Sequence, residues 1–126
     1  MIIGTGIDIV EIDRIKKALE NKRFIERVFT PKEIIYCESR GAQAAASYAA
    51  RFAGKEAVLK AFGTGLTGGN LIDIEILPNE KGCPGVQLYK YFDDEAKNIG
   101  VTQIYISLSH ARMYATAQVI FWGENK

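Results

Sequence analysis

The sequence predicts an α+β fold: a mostly antiparallel sheet packed against helices on one side, one helix being long and buried. Three observations carry this. Apolar residues alternate in stretches near both ends of the chain, whereas helical spacing dominates residues 12–62. A row of alanines runs along one segment that has charges but no proline. The order reads strand, helices, two strands, helix, two strands, which is not the strict strand–helix alternation of a parallel sheet. A chain of 126 residues fits one domain spanning 1–126.

MIIGTGIDIVEI reads as the first strand, with Ile3, Thr5, Ile7 and Ile9 on one face. Asp8 falls on the other face, beside Gly4 and Gly6. Glycine weakens a strand, so two in alternation point to close approach by a ligand or another backbone. DRIKKALE is helical, with Ile12, Ile15 and Leu19 on one side and the basic residues facing away. TPKE at Thr30–Glu33 is a helix start: Thr30 caps, Pro31 suits the first turn, and Glu33 closes a capping box. That helix is expected to end near Gly41. A longer one follows from about Ala42 to Phe62, ended by Gly63 or Gly65. Its stripe of Ala46, Ala49, Ala50, Ala53, Ala57 and Ala61 predicts a neighbour packed very close. In LIDIEILPN, Ile72, Ile74 and Ile76 point inward and Asp73 and Glu75 outward. NEKGCPG is turn chemistry and predicts a hairpin to GVQLY. KYFDDEAKNIG is a helix closed by Gly100. TQIYISLSH and YATAQVIFW are two strands joined by a short turn near 111–113.

Hydrophobic content of 48%, charged content of 25% and a net charge of +1 are those of an ordinary globular chain. They give no hint of nucleic acid or membrane. Charge is uneven, however. Residues 14–32 carry Arg14, Lys16, Lys17, Lys22, Arg23, Arg27 and Lys32 against only Glu20 and Glu26, which suggests an acidic partner. Cys37 and Cys83 have no paired spacing and read as free thiols of a reducing, cytoplasmic compartment. The start MIIGTGIDIV lacks the basic opening of a secretory signal. No apolar run approaches the ~20 residues that a membrane helix needs. His110 is the only histidine, which disfavours zinc sites built from several His or Cys.

RFAGKEAVLKAFGTG, residues 51–65, is the stretch richest in chemistry. Glu56 and Lys60 stand one turn apart in the favoured order for a helical ion pair. As a surface pair they would contribute only ~0.3–0.5 kcal/mol. Yet Phe52, Leu59 and Phe62 share their side of the helix, and a carboxylate there is costly unless paired or bound to a cation. Asp8, alone, reads equally as a solvated edge residue. If its strand packs on this helix, Asp8 and Glu56 together make an oxygen site for Mg²⁺, which keeps several waters. Gly63-Thr64-Gly65 offers backbone N–H groups to a phosphate, although glycine after a helix is commonly just a cap. It is not a Walker loop, since no GK[ST] follows. SLSH at 107–110 puts Ser107 and Ser109 on one strand face with His110 at the end. No G-x-S-x-G accompanies them, which argues against a serine hydrolase.

GIDIVEI at 6–12, RFAGKEAVLKAFGTG at 51–65, NEKGCPG at 79–85 and SLSH at 107–110 resemble, in order and over essentially the whole chain, the bacterial holo-acyl-carrier-protein synthases. These are the small phosphopantetheinyl transferases. Gly54 stands where the family more often has alanine, and Gly82-Cys83-Pro84 matches the family's Gly-x-Pro turn. The resemblance implies transfer of 4′-phosphopantetheine from coenzyme A to a serine of apo acyl carrier protein, leaving 3′,5′-ADP. It also implies Mg²⁺ as cofactor and a homotrimer with active sites at the subunit interfaces. By position it makes Asp8 and Glu56 the metal ligands and Lys60 the lysine that stabilises or protonates the leaving phosphate. It sets Arg51 and His110 near the coenzyme A 3′-phosphate and adenine, and Gly63, Thr64 and Gly65 beside the nucleotide. Arg14 then pairs with acidic residues of the carrier protein, and Arg23, Phe24 and Arg27 extend that surface. The serine proton has three candidate acceptors: a metal-bound water, which is favoured, Asp8 or Glu56. Two other readings compete. A Mg²⁺-dependent hydrolase of a nucleotide pyrophosphate would use the same carboxylates without the basic segment. A non-catalytic module binding an acidic partner through 14–32 would leave Glu56 and Lys60 unexplained.

Overall fold

The computed structural model describes residues 1–63 and 68–125. Its order is β1 (Ile2–Glu11), α1 (Ile12–Ala18), α2 (Lys22–Val28), α3 (Pro31–Glu38), α4 (Ala44–Ala61), β2 (Ile74–Pro78), β3 (Pro84–Leu88), α5 (Lys90–Asn98), β4 (Val101–His110) and β5 (Tyr114–Gly123). All pairing is antiparallel, as expected, but in two sheets: β1-β5-β4, and the separate hairpin β2-β3.

The centre of the molecule is α4, laid across β1 and β5. Every alanine of the expected stripe, Ala46, Ala49, Ala50, Ala53, Ala57 and Ala61, is buried. The partner that approaches is the backbone of β1. A Cβ on Gly4 would lie 2.1 Å from the Ala61 carbonyl oxygen, and one on Gly6 would lie 1.9 Å from that of Ala57. Glycine on the strand and alanine on the helix therefore answer the same demand for close approach. Gly54 is filled differently: the space for its Cβ is taken by the tips of the Ile76 and Ile106 side chains.

The alternation of β1 needs one correction. A bulge between Ile2 and Gly4 turns Ile3 toward the core, so Ile3 does not share the face of Ile7 and Ile9. Those two are each 64% exposed, on the sheet face away from α4. The 14–32 segment also folds as two short helices, with Asn21 capping the second by accepting from the Arg23 N–H at 2.9 Å. The Thr30/Glu33 capping box of α3 forms as read. Helix α4 starts at Ala44 rather than Ala42, because Gly41–Gln43 is a single 3₁₀ turn. It ends at Ala61, with Gly63 at φ 87°, a value that favours glycine.

The second correction concerns the hairpin. Asp73 and Glu75 do not face outward; both are buried. Glu75 is buried because its carboxylate accepts hydroxyl donors from Thr30 at 2.6 Å and Tyr89 at 3.0 Å, and α3 covers the face that the alternation assigned to solvent. Both cysteines are free thiols; burial pushes Cys37 up, while Cys83 is exposed.

Candidate active site

Two clusters form on opposite flanks of α4. In the first, β1 presents Asp8 on its glycine face, and α4 presents Glu56 and Lys60 to it. The ion pair suggested by spacing is not made. Lys60 Nζ instead donates to Asp8 Oδ1 at 3.0 Å and to the Ile7 carbonyl at 3.0 Å. This pair is open: the side chains are 56% and 15% exposed. Burial raises the Glu56 carboxyl above its ordinary pKa, the Asp8 carboxylate adds to the rise, and Lys60 opposes it. Two carboxylates held close enough to perturb one another, with oxygen donors only, fit a small hard cation that brings its own waters. Among the described residues no group of three or more His, Cys, Asp or Glu could hold a metal ion.

Asp8 and Glu56 share a cavity of ≈ 370 Å³ with Arg14 of α1, Phe24 of α2 and Phe52 of α4. Its lining mixes apolar side chains with the charged Asp8, Arg14 and Glu56. Arg14, Arg23 and Arg27 are exposed, with Phe24 half-buried between the last two. The structure therefore joins Arg14 and Phe24 to the carboxylates, while Arg23 and Arg27 lie on the exposed side of α2.

The second cluster lies between α3, α4 and the end of β4. Arg51 is only 5% exposed. Its Nε donates to the Ile76 carbonyl at 3.1 Å, and its Nη1 to the carbonyl and hydroxyl of Ser47 at 3.3 and 3.0 Å. The guanidinium stacks on the Tyr36 ring at 4.4 Å. Nη2 has no acceptor among the described residues. Arg51 and His110 line a cavity of ≈ 200 Å³ with Tyr36, Arg40 and Ser109. Tyr36 and Arg40 were not read from the sequence as site residues. Their only signal was an aromatic and an arginine four apart on the helix that TPKE starts, and Arg40 does lie over the Tyr36 ring at 5.8 Å.

These clusters do not meet within one chain. Arg51 and Glu56 are five residues apart, about 140° around the helix axis. Gly63 stands beside Lys60 at the end of α4; Thr64 and Gly65 lie outside the described residues.

Residues 4–118 match the family model of the 4′-phosphopantetheinyl transferase superfamily. The chain is 51% identical over 124 residues to a holo-[acyl-carrier-protein] synthase of Ruminiclostridium cellulolyticum, covering 95% of this chain and 90% of that one. Among solved structures, the Neisseria meningitidis holo-[acyl-carrier-protein] synthase superposes with a TM-score of 0.87 at 30% identity, covering 97% and 99% of the two chains. The Helicobacter pylori enzyme, solved in complex with coenzyme A, superposes with a TM-score of 0.80 at 33% identity, covering 94% and 99%. With the family model spanning nearly the whole chain and curated relatives this similar, the chain belongs to the 4′-phosphopantetheinyl transferase superfamily.

Proposed function

We propose that this chain is a holo-[acyl-carrier-protein] synthase. It moves 4′-phosphopantetheine from coenzyme A to a serine hydroxyl of apo acyl carrier protein, releasing adenosine 3′,5′-bisphosphate, and so serves fatty acid biosynthesis. The observation that carries this reading is the first cluster: two facing carboxylates and a lysine, opening into a groove that carries Arg14 and Phe24. A pyrophosphate hydrolase has no use for that basic, part-apolar rim. A non-catalytic module has no use for the carboxylates.

In this reading residues 1–126 are one transferase domain. Asp8 and Glu56 would hold Mg²⁺, which would supply charge neutralisation to the pyrophosphate. Lys60, anchored on Asp8 and free over much of its length, turns to the departing phosphate and offsets its growing charge. Arg51 gives its open Nη2 edge to the 3′-phosphate, and His110, exposed at the end of β4, lies beside the nucleotide. Gly63, with Thr64 and Gly65, borders the phosphates. Arg14, Arg23 and Arg27 attract the acidic carrier protein while Phe24 supplies an apolar contact.

The two half-sites lie on different flanks of α4, which favours a site completed by a neighbouring copy. Ile7, Ile9, Tyr105 and Trp122 leave an apolar sheet face exposed, a surface suited to covering by further subunits. We therefore take the enzyme to be a homotrimer with active sites at subunit interfaces. Light scattering should give three times the 14.0 kDa chain mass; a monomer that turns over at full rate would refute it. Among the described residues no helix is long and apolar enough to cross a membrane, and the free thiols fit the cytoplasm.

The direct test is mass spectrometry of apo acyl carrier protein incubated with this protein, coenzyme A and Mg²⁺. The expected result is one added phosphopantetheine per carrier. An unchanged carrier with folded, metal-supplied protein would overturn the reading.

A further inference from the structure

Behind the second half-site lies a buried ion pair that the proposed chemistry does not use. Glu33 of α3 and Lys55 of α4 are both fully buried, and their charged atoms are 2.8 Å apart. Both are saturated. Glu33 Oε1 also accepts the Thr30 N–H at 2.9 Å, and Oε2 accepts the Ile76 N–H at 2.8 Å. Lys55 Nζ also donates to the carbonyls of Leu71, at 3.0 Å, and Ile74. The two residues thus join α3, α4 and β2.

Ile76 is where this network meets the half-site. Its N–H is held by Glu33 and its carbonyl by Arg51 Nε. The Nε end of the Arg51 fork is therefore anchored on a carbonyl whose own residue is held by Glu33, while Ser47 and Tyr36 hold the Nη1 edge and the face of the guanidinium. Lys55, one turn beyond Arg51 on the same flank, ties α4 to the residues on either side of that strand entry. A buried ion pair adds little net stability compared with apolar residues of equal volume, so stability alone is a poor account of it. What it does provide is a fixed Ile76 peptide, whose carbonyl accepts from Arg51 Nε.

We infer that Glu33 and Lys55 are positioning residues for the phosphate-binding edge of Arg51, acting through the Ile76 peptide. The inference rests on the proposed reading of the Arg51 cavity as the nucleotide site. In Glu33→Gln one acceptor oxygen becomes a donor, so either Ile76 or the Lys55–Thr30 side loses its partner. The Nε anchor of the Arg51 fork is then no longer held in place.

The experiment measures 3′,5′-ADP affinity by calorimetry, together with kcat and KM for coenzyme A. The proteins are wild type, Glu33→Gln, the neutral double variant Glu33→Gln/Lys55→Met, and Arg51→Ala. Thermal unfolding confirms that each is folded at the assay temperature. The double variant removes both charges, so it keeps the test available where a single variant does not fold. We expect 3′,5′-ADP affinity to fall by about tenfold or more in Glu33→Gln and in the double variant, with a matching rise in KM and a smaller change in kcat. Recovery of stability in the double variant without recovery of affinity supports positioning. A folded double variant with wild-type affinity and KM overturns it. If Arg51→Ala itself binds 3′,5′-ADP as tightly as wild type, the cavity assignment fails and this inference falls with it. If Arg51→Ala weakens binding and the Glu33 variants do not, only the inference falls.

Discussion

Helix α4 makes two carboxylate–lysine pairs, and they are built on opposite terms. Lys55–Glu33 is dry and has every donor and acceptor engaged. Lys60–Asp8 has a solvent-exposed lysine, and beside it stands Glu56, which makes no ion pair among the described residues. The first arrangement can only stay as it is, because losing one partner strands a buried charge. The second can exchange partners at small cost, because water solvates each group when the other leaves. One helix thus holds a fixed anchor on one flank and an exchangeable pair on the other, which suits a site that must take up and release charged substrate.

Breaking the anchor should have the largest effect. Lys55→Met leaves the buried Glu33 carboxyl without its ion-pair partner, and should lower unfolding free energy by about 3–5 kcal/mol in a denaturant titration. A loss under about 1 kcal/mol would show that water reaches the site and that the contrast between the pairs is false. Breaking the open cluster should do the reverse. Glu56→Gln should cut turnover by about a hundredfold or more at saturating coenzyme A and Mg²⁺ without unfolding the chain. A variant that unfolds instead would make Glu56 a structural residue. A third change leaves both pairs untouched: Arg14→Glu should raise the KM for the acidic carrier protein by about tenfold and steepen no loss of 3′,5′-ADP affinity. Equal loss for both substrates would place Arg14 at the nucleotide instead.

The smallest effect sharpens the contrast through pH. The raised pKa of Glu56 means that the folded chain holds this proton more tightly than the unfolded one. Its favourable contribution is complete below the ordinary glutamate range and is lost as pH rises through the folded value. Metal-free Glu56→Gln should therefore be more stable than wild type at pH 7, and this advantage should vanish near pH 4. Added Mg²⁺ should stabilise wild type more than the variant, since only wild type offers two carboxylates. An advantage independent of pH would mean that neither burial nor the Asp8 carboxylate raises the Glu56 carboxyl.

How much of this was legible beforehand differs between the two flanks. The β1 flank could be read because each signal was local. Gly4 and Gly6 alternate with Asp8, the alanines recur at helical spacing, and both patterns ask for the same close contact. The α3 flank could not. Glu33 was legible as half of a capping box and is that, but its second oxygen is committed to Ile76, forty-three residues away. Glu75 and Asp73 were read outward because alternation assumes one wet face, and for Glu75 the start of α3 supplied a second cover. Likewise Lys60 turned from Glu56, its neighbour in sequence, to Asp8, since a strand brought a carboxylate and a carbonyl within one reach.

The sequence by itself determined the order and type of the elements, the glycine-on-alanine contact of β1 with α4, and the residues that carry charge into that contact. Periodicity, capping and side-chain size are local properties, and they act before the chain is closed. Only the tertiary structure decided which charges pair, which carboxylates are dry, and that Arg51 and Glu56 line separate cavities. Those outcomes depend on distances between segments far apart in the chain, and on how much water packing leaves between them.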